Sequence, residues 1–154
     1  MLDSARIKGT WCIVTGYLGA LPYMNSGQLL DLEGRGHEIC AHTRTHPPLT
    51  ELSEFQMRNE IKGSRDDLFG FGIQTVATFA YPFGDYDDTT DRIVRELGFS
   101  GARTSDGGYN TKQDNRYLLK RRDASVSTSA STIKSWIDKA TQDKLWLIIN
   151  FHRI

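Results

Sequence analysis

The chain has 154 residues, of which 38% are hydrophobic and 25% are charged, and this balance excludes a disordered or fibrous protein. Its 19 basic residues equal its 19 acidic residues in number, so no overall charge favours nucleic acid or an anionic membrane. No apolar run approaches the roughly 20 residues of a transmembrane helix, and the first ten residues lack the pattern of a signal peptide. We therefore expect one domain with no nucleic-acid or membrane partner.

Short apolar runs alternate with amphipathic segments along the chain. The six predicted strands are residues 10–17, 37–42, 75–81, 99–104, 117–121 and 145–151. The last of them is continuously apolar, which predicts a strand buried on both faces. Helix starts are predicted at Ser26, Ser53, Asp88 or Thr89, and Ser131. This alternation predicts an α/β fold with parallel strands, either as an open sheet or as a barrel.

The two cysteines, Cys12 and Cys40, both lie inside predicted apolar strands. A small secreted protein held together by disulfides would normally contain more cysteines, so we expect buried free thiols. The cysteine content does not decide the cellular compartment.

Unusual side chains stand where the predicted strands end. His42 ends the second strand, Tyr81 the third and Arg103 the fourth, and His152 follows the last. In parallel α/β folds the loops that follow the strands meet at one rim and carry the chemistry. Tyr81 and Tyr109, in rim loops, are candidates to stack on a sugar. The convergence of polar groups from separate strands predicts an active site there.

Three of the four histidines lie within ten residues of one another. His42 and His46 are four residues apart, which would place them on one face of a helix, but Pro47 disfavours helical geometry at His46. A tight turn after the strand would still bring both imidazoles to one metal ion, and the alternative is that both are solvated loop residues. His37 opens a strand, and we expect it to make a structural hydrogen bond.

Several segments occur in an order that resembles a known family. His42-Thr43-x-x-His46 is similar to H-[ST]-x-x-H, the second motif of the polysaccharide deacetylases, which are the NodB-homology domains of carbohydrate esterase family 4. Residues 79–84 (FAYPFG) resemble the third motif, and residues 149–152 (INFH) resemble the closing motif. The resemblance covers essentially the whole chain. It implies an incomplete, irregular (β/α) barrel of about six parallel strands that acts on a carbohydrate.

The resemblance also implies roles for individual residues. His42 and His46 would be ligands of a divalent metal, commonly zinc in the family, and His152 would be the general acid that protonates the leaving amine. The backbone N–H of Phe83 would help to hold the oxyanion. The residues assigned to the oxyanion or the substrate are Tyr81, Pro82, Phe83 and Arg121. The implied reaction is the hydrolysis of an N-acetyl or O-acetyl group on a sugar.

The chain departs from the family pattern in its first and third motifs. The first motif supplies two aspartates, the catalytic base and the third metal ligand, and no such segment precedes Gly9. Asp85, Asp87 or Asp88 could substitute as the third ligand. In the third motif, Ala80 stands where the family usually has an arginine.

These departures shape the expected architecture and leave two functions open. We expect a single domain over residues 1–154 that is truncated at both ends, with an exposed first strand covered by helices or by a second copy in a homodimer. One function is a metal-dependent carbohydrate deacetylase, and the other is a non-catalytic relative that binds metal or glycan. The family is often extracellular or in the cell envelope, so the location of this chain stays open.

Overall fold

The computed structural model describes residues 2–151, which contain six strands and four α-helices. The strands are β1 (Thr10–Ile13), β2 (Glu38–Ala41), β3 (Thr78–Ala80), β4 (Gly101–Gly107), β5 (Leu119–Ala124) and β6 (Ile149–Phe151). The helices are α1 (Ser26–Gly34), α2 (Glu54–Gly70), α3 (Asp88–Glu96) and α4 (Ala130–Gln142). None of the helices in this part of the chain has the length and apolar character needed to span a membrane.

The six strands form one sheet in the order β1-β2-β3-β4-β5-β6, and every neighbouring pair is parallel. Each strand therefore lies beside the next strand along the chain, and every connection except that from β4 to β5 contains an α-helix. Over residues 2–151 the two outer strands, β1 and β6, do not pair with each other, so the sheet is an open half-barrel. The prediction of an incomplete (β/α) barrel with six parallel strands is confirmed. The homodimer over the β1 edge stays a prediction.

Side-chain caps begin the helices. Ser53 accepts a hydrogen bond from the backbone N–H of Gln56, and the Gln56 side chain bonds back to the backbone N–H of Ser53, so the predicted capping box of α2 is confirmed. The caps of α1 and α4 are Asn25 and Ser129, one and two residues before the serines that the sequence suggested. Asp87 caps α3 in the same way.

The core lies between the sheet and helices α1, α2 and α3. One face of each helix supplies apolar side chains that pack on strand residues and on the strands' connecting loops. Among the fully buried or nearly buried residues are Leu29, Leu32, Ile39, Met57, Ile61, Leu68, Phe79, Ile93, Val94 and Phe99. This packing holds the carboxyl ends of the strands at a common rim.

Two strands end differently from the prediction. β1 stops at Ile13, because Thr15–Tyr17 form a short 3-10 turn that is closed by the bond from the Leu18 N–H to the Thr15 carbonyl. The last strand contains only Ile149–Phe151, and its residues are half-buried or exposed, so the prediction of a strand buried on both faces is wrong. Trp146, just before it, forms an isolated antiparallel bridge instead.

Candidate functional site

The loop after β2 turns two histidines toward each other. The Nε2 atoms of His42 and His46 are 3.1 Å apart. The Nδ1 atom of His42 lies 2.7 Å from the carbonyl oxygen of Ala80. A carbonyl can only accept, so His42 carries its proton on Nδ1 and keeps a lone pair on Nε2. The structure thus brings together the pair that the sequence singled out.

A tight turn, and not a helix, creates this arrangement. Thr43 and His46 adopt positive φ angles of 66° and 62°, and the Thr43 hydroxyl accepts a hydrogen bond from the backbone N–H of His46 at 3.0 Å. Residues other than glycine rarely adopt such angles, and they cluster at functional sites. Thr43 is fully buried, so the turn is anchored in the protein interior.

Helix α2 holds the backbone of this loop through Glu60. Its carboxylate accepts hydrogen bonds from the backbone N–H groups of Arg44 and Thr45 at 2.8 and 2.9 Å, and from the Thr45 hydroxyl at 2.8 Å. A carboxylate with three donors is a strong, charge-assisted anchor. Glu60 therefore fixes two of the three residues that lie between the histidines.

A second carboxylate of α2, Asp67, holds the Arg44 side chain. Asp67 accepts from Arg44 Nε at 2.8 Å, from Arg44 Nη2 at 2.6 Å and from the Thr15 hydroxyl at 2.8 Å. Between them Gly63 leaves room for the guanidinium, since an added Cβ would lie 2.6 Å from Arg44 Cζ. Glu60, Gly63 and Asp67 lie on one helix face by their spacing, but the site predicted from the sequence did not include them.

Asp67→Ala is expected to lower the free energy of unfolding by about 1.5 kcal/mol, because it removes hydrogen bonds to a charged group that solvent partly screens. Asp66→Ala is the matched control, since that neighbouring carboxylate pairs with Lys62 one turn away on the exposed face. We expect it to cost about 0.4 kcal/mol. Urea denaturation of both variants at neutral pH is the measurement, and equal losses would contradict the anchoring role.

The contact between Arg44 and Asp67 also predicts how the free energy of unfolding depends on pH. The hydrogen bond from Arg44, and to a smaller degree that from Thr15, lowers the pKa of the Asp67 carboxyl below its ordinary value. A lowered folded-state pKa adds stability that is complete above the unfolded-state pKa of about 3.9 and disappears as the pH falls through the folded-state value. The wild-type protein should therefore lose more stability than Asp67→Ala between about pH 5 and about pH 2. Denaturation curves at stepped pH test this, and parallel losses would refute it.

Positive charge lies around the half-buried His42 side chain. Burial first, and then the charges of Arg103, His46 and Arg121, lower the pKa of His42 to about 3. Arg121 lies on β5 with 15% of its side chain exposed and pairs with Asp123 at 3.0 Å. Arg103 extends from β4, the strand on the other side of β3 from the loop. His42 is consequently a neutral imidazole, the form that binds metals.

The third motif places Phe83 beside the histidine pair. The Phe83 ring is 59% exposed, and its centroid lies 4.6 Å from that of His46 in an edge-to-face contact. Phe83 has a positive φ of 56°, and its carbonyl accepts a hydrogen bond from the Ser105 hydroxyl at 2.8 Å. Its ring is thus available at the rim next to His46. The assignment of its N–H to the oxyanion stays a prediction.

Tyr81 and Pro82 lie on the inner side of this turn. Tyr81 is 1% exposed, packs against Phe79 and Tyr86, and has a pKa raised by burial. The expectation that Tyr81 stacks on a sugar is therefore wrong, because its ring completes the core. Pro82 is also buried, and a substrate contact for it stays a prediction.

The other two histidines have separate outcomes. His37 Nδ1 accepts the backbone N–H of Gly9 at 3.1 Å, and its Nε2 lies 3.2 Å from the Asp3 carboxylate, so the expected structural role is confirmed. His152, the predicted general acid, lies outside the described residues.

The histidine pair fits part of a metal site. Two nitrogens 3.1 Å apart suit one ion bonded to each at about 2.0–2.1 Å, and the Ala80 carbonyl orients the first ring as carbonyls do behind metal ligands. Residues 2–151 contain no group of three His, Cys, Asp or Glu side chains placed to share an ion. Asp87 instead caps α3 through the N–H of Thr90 at 2.7 Å. The structure therefore does not place Asp85, Asp87 or Asp88 as a third ligand, and the two histidines supply two coordination positions.

Two curated proteins are similar to this chain over 90% and 64% of its length. The Bacillus subtilis protein YxkH is 23% identical over 138 residues, which cover 90% of this chain and 50% of YxkH. Chitin deacetylase 1 of Cryptococcus neoformans is 31% identical over 103 residues, which cover 64% of this chain and 20% of that protein. The chain thus spans at most half the length of these two curated relatives.

Comparison with solved structures gives the same family. The Streptococcus pyogenes deacetylase PplD, solved in complex with acetate, superposes with a TM-score of 0.82 at 26% identity. The match covers 87% of this chain and 60% of PplD. The sequence model of the polysaccharide deacetylases matches residues 1–102, about two thirds of the chain. The chain belongs to the polysaccharide deacetylase family, the NodB-homology domains of carbohydrate esterase family 4.

Proposed function

We propose that this chain hydrolyses acetyl groups of an N- or O-acetylated carbohydrate with the help of a divalent metal, most simply zinc, held by His42 and His46. The observation that carries the proposal is the convergence of the two imidazole Nε2 atoms, 3.1 Å apart, at the rim of a deacetylase-family sheet. The similarity to a fungal chitin deacetylase supports a chitin-like substrate as the first to test.

His42 and Phe83 would have different roles in the reaction. His42 is oriented by the Ala80 carbonyl and stays neutral, so its Nε2 lone pair is available without loss of a proton. When bound, the metal would act as a Lewis acid that polarises the acetyl carbonyl. The Phe83 N–H would donate to the developing oxyanion, and its exposed ring would exclude water beside His46.

Charge and proton transfer would come from neighbouring groups. Arg103 and Arg121 place positive charge near His42, where negative charge develops in a tetrahedral transition state. His152 would protonate the leaving amine as general acid. The rim of the sheet that carries His42 and Arg103 would receive the sugar.

A second candidate function is a non-catalytic protein that binds metal or glycan. It is favoured by the absence, within residues 2–151, of a carboxylate that joins the two histidines. Without a carboxylate base near the pair, water would not be activated, while an imidazole pair and a rim aromatic would still bind ligands.

Acetate release distinguishes these two functions. The chain is incubated with chitin oligosaccharides or acetylated xylan after treatment with a chelator, and zinc is then added back. A deacetylase should lose at least about 90% of its turnover with the chelator and regain it with zinc, because the Lewis acid is removed and restored. A chain that binds zinc but releases no acetate from either substrate would support the non-catalytic function. Turnover that resists the chelator would refute metal dependence.

A further inference from the structure

The two cysteines lie directly opposite each other in the sheet. Cys12 on β1 and Cys40 on β2 are register partners in a parallel pair, so their side chains leave the same face of the sheet. Neighbouring strands are about 4.8 Å apart, and this spacing falls within the range of about 4.4–6.8 Å between the Cα atoms of a disulfide. The backbone therefore allows a bond between the two sulfurs without moving either strand.

The surroundings of Cys12 favour its thiolate. The Arg103 guanidinium donates through Nη2 to Cys12 Sγ, with the two atoms 3.6 Å apart. A hydrogen bond from Cys40 and the positive charge of Arg103 lower the pKa of Cys12 below its ordinary value. A thiol beside a fixed positive charge is a typical reactive cysteine, whereas a thiol in purely apolar surroundings is inert.

Access to the two thiols differs. Cys12 is half-buried on an outer strand of the described sheet, and it lines a cavity of about 150 Å³ together with Tyr17, Leu18 and Met24. Cys40 is 2% exposed. The prediction of a buried thiol is thus confirmed for Cys40 alone. A small reagent therefore reaches Cys12 before Cys40, and Cys40 is the thiol that reacts second.

We propose that Cys12 and Cys40 form a disulfide-forming pair, in which Cys12 reacts with a low-molecular-weight disulfide and Cys40 completes the cross-link between β1 and β2. The Cys12 thiolate attacks one sulfur of the disulfide, so a Cys12–sulfur bond forms and one thiolate leaves. Cys40 then attacks the Cys12 sulfur, the mixed disulfide breaks, and a second thiolate leaves with the Cys40 proton. One external disulfide is reduced to two thiols, and the cysteine pair is oxidised.

Oxidised glutathione tests the pair on the folded wild-type chain at neutral pH, with intact mass spectrometry as the readout. Because the sequence contains only two cysteines, the products have distinct masses. An internal disulfide lowers the mass by about 2 Da, the two hydrogen atoms lost. A dithiol that remains unmodified until the chain is unfolded, a stable glutathione adduct, or a disulfide-linked dimer would each overturn the proposal.

Three variants assign the roles of the individual residues. Cys40→Ser should stop at one glutathione adduct on Cys12, and Cys12→Ser should acquire none while folded. Arg103→Gln should slow the modification of Cys12 roughly tenfold, because it removes the positive charge that favours the thiolate. Far-ultraviolet circular dichroism checks that each variant is folded. If Cys40 reacts first in the wild-type chain, or if Arg103→Gln reacts at the wild-type rate, the assigned roles are wrong.

Discussion

His42→Ala is expected to weaken zinc binding by at least about a hundredfold, because changes to groups behind a metal ligand alone cost 10–100-fold. The structure gives the reason. The Ala80 carbonyl holds the proton of His42 on Nδ1, and the remaining Nε2 lone pair faces His46 Nε2 at 3.1 Å. Removal of the ring leaves one imidazole, which cannot chelate. Isothermal titration with zinc, or the visible spectrum of the cobalt form, measures the loss.

The chain offers a control of the same residue type. His37→Ala removes an imidazole that bonds to Gly9 and lies near Asp3, well away from the pair, so zinc affinity should change less than about twofold. Circular dichroism confirms that both variants are folded. Wild-type affinity in His42→Ala, or equal losses in the two variants, would show that zinc binds elsewhere.

Gly84→Ala is expected to lower the free energy of unfolding by about 3 kcal/mol, the sum of a strained backbone angle and overpacking. Gly84 has a φ of +81°, and an added Cβ would overlap the side chain and the backbone nitrogen of Ser105. Ser105 cannot move freely, because its hydroxyl bonds to the Phe83 carbonyl. The substitution therefore distorts the turn that presents Phe83 to His46.

Gly98→Ala separates the two causes of this loss. Gly98 has almost the same φ, +79°, but no atom lies within 4 Å of the position of an added Cβ. It should cost only the backbone contribution, about 1 kcal/mol. Urea denaturation of both variants measures the difference. If Gly84→Ala and Gly98→Ala lose the same stability, the contact with Ser105 contributes nothing.

Much of the fold could be predicted because it depends on local patterns. Apolar runs and the Ser53 capping box indicated the six strands and the start of α2, and the alternation of strands and helices indicated a parallel sheet. Strand ends were less predictable. β1 stops at Ile13, just before a 3-10 turn whose Thr15 and Gly16 N–H groups bond to the carbonyls of Thr43 and Arg44, residues distant in sequence. Such bonds leave no local signal.

The candidate site, like the fold, could be predicted from the sequence only in part. The proline after His46 indicated that the pair does not lie on a helix, and the sequence left open whether a turn joins the two rings or both are solvated loop residues. By contrast, the positions of Glu60, Arg103 and Arg121 around that turn depend on the packing of α2 and on the order of the strands. Tyr81 is the clearest example of a residue that the sequence misplaced. Its position at the end of a strand predicted an exposed rim residue, but in the structure β3 and α3 enclose its ring in the core.

The sequence by itself determined the family motifs, the strand and helix order, and the separation of His37 from the other two histidines, because these depend on residue type and spacing along one segment. Only the tertiary structure decided that the Ala80 carbonyl orients His42, that α2 anchors the loop between the two histidines, and that Cys12 faces Cys40. The physical reason is that these relations join residues about 20 to 90 positions apart, and only the register of packed strands and helices brings such residues within hydrogen-bonding distance.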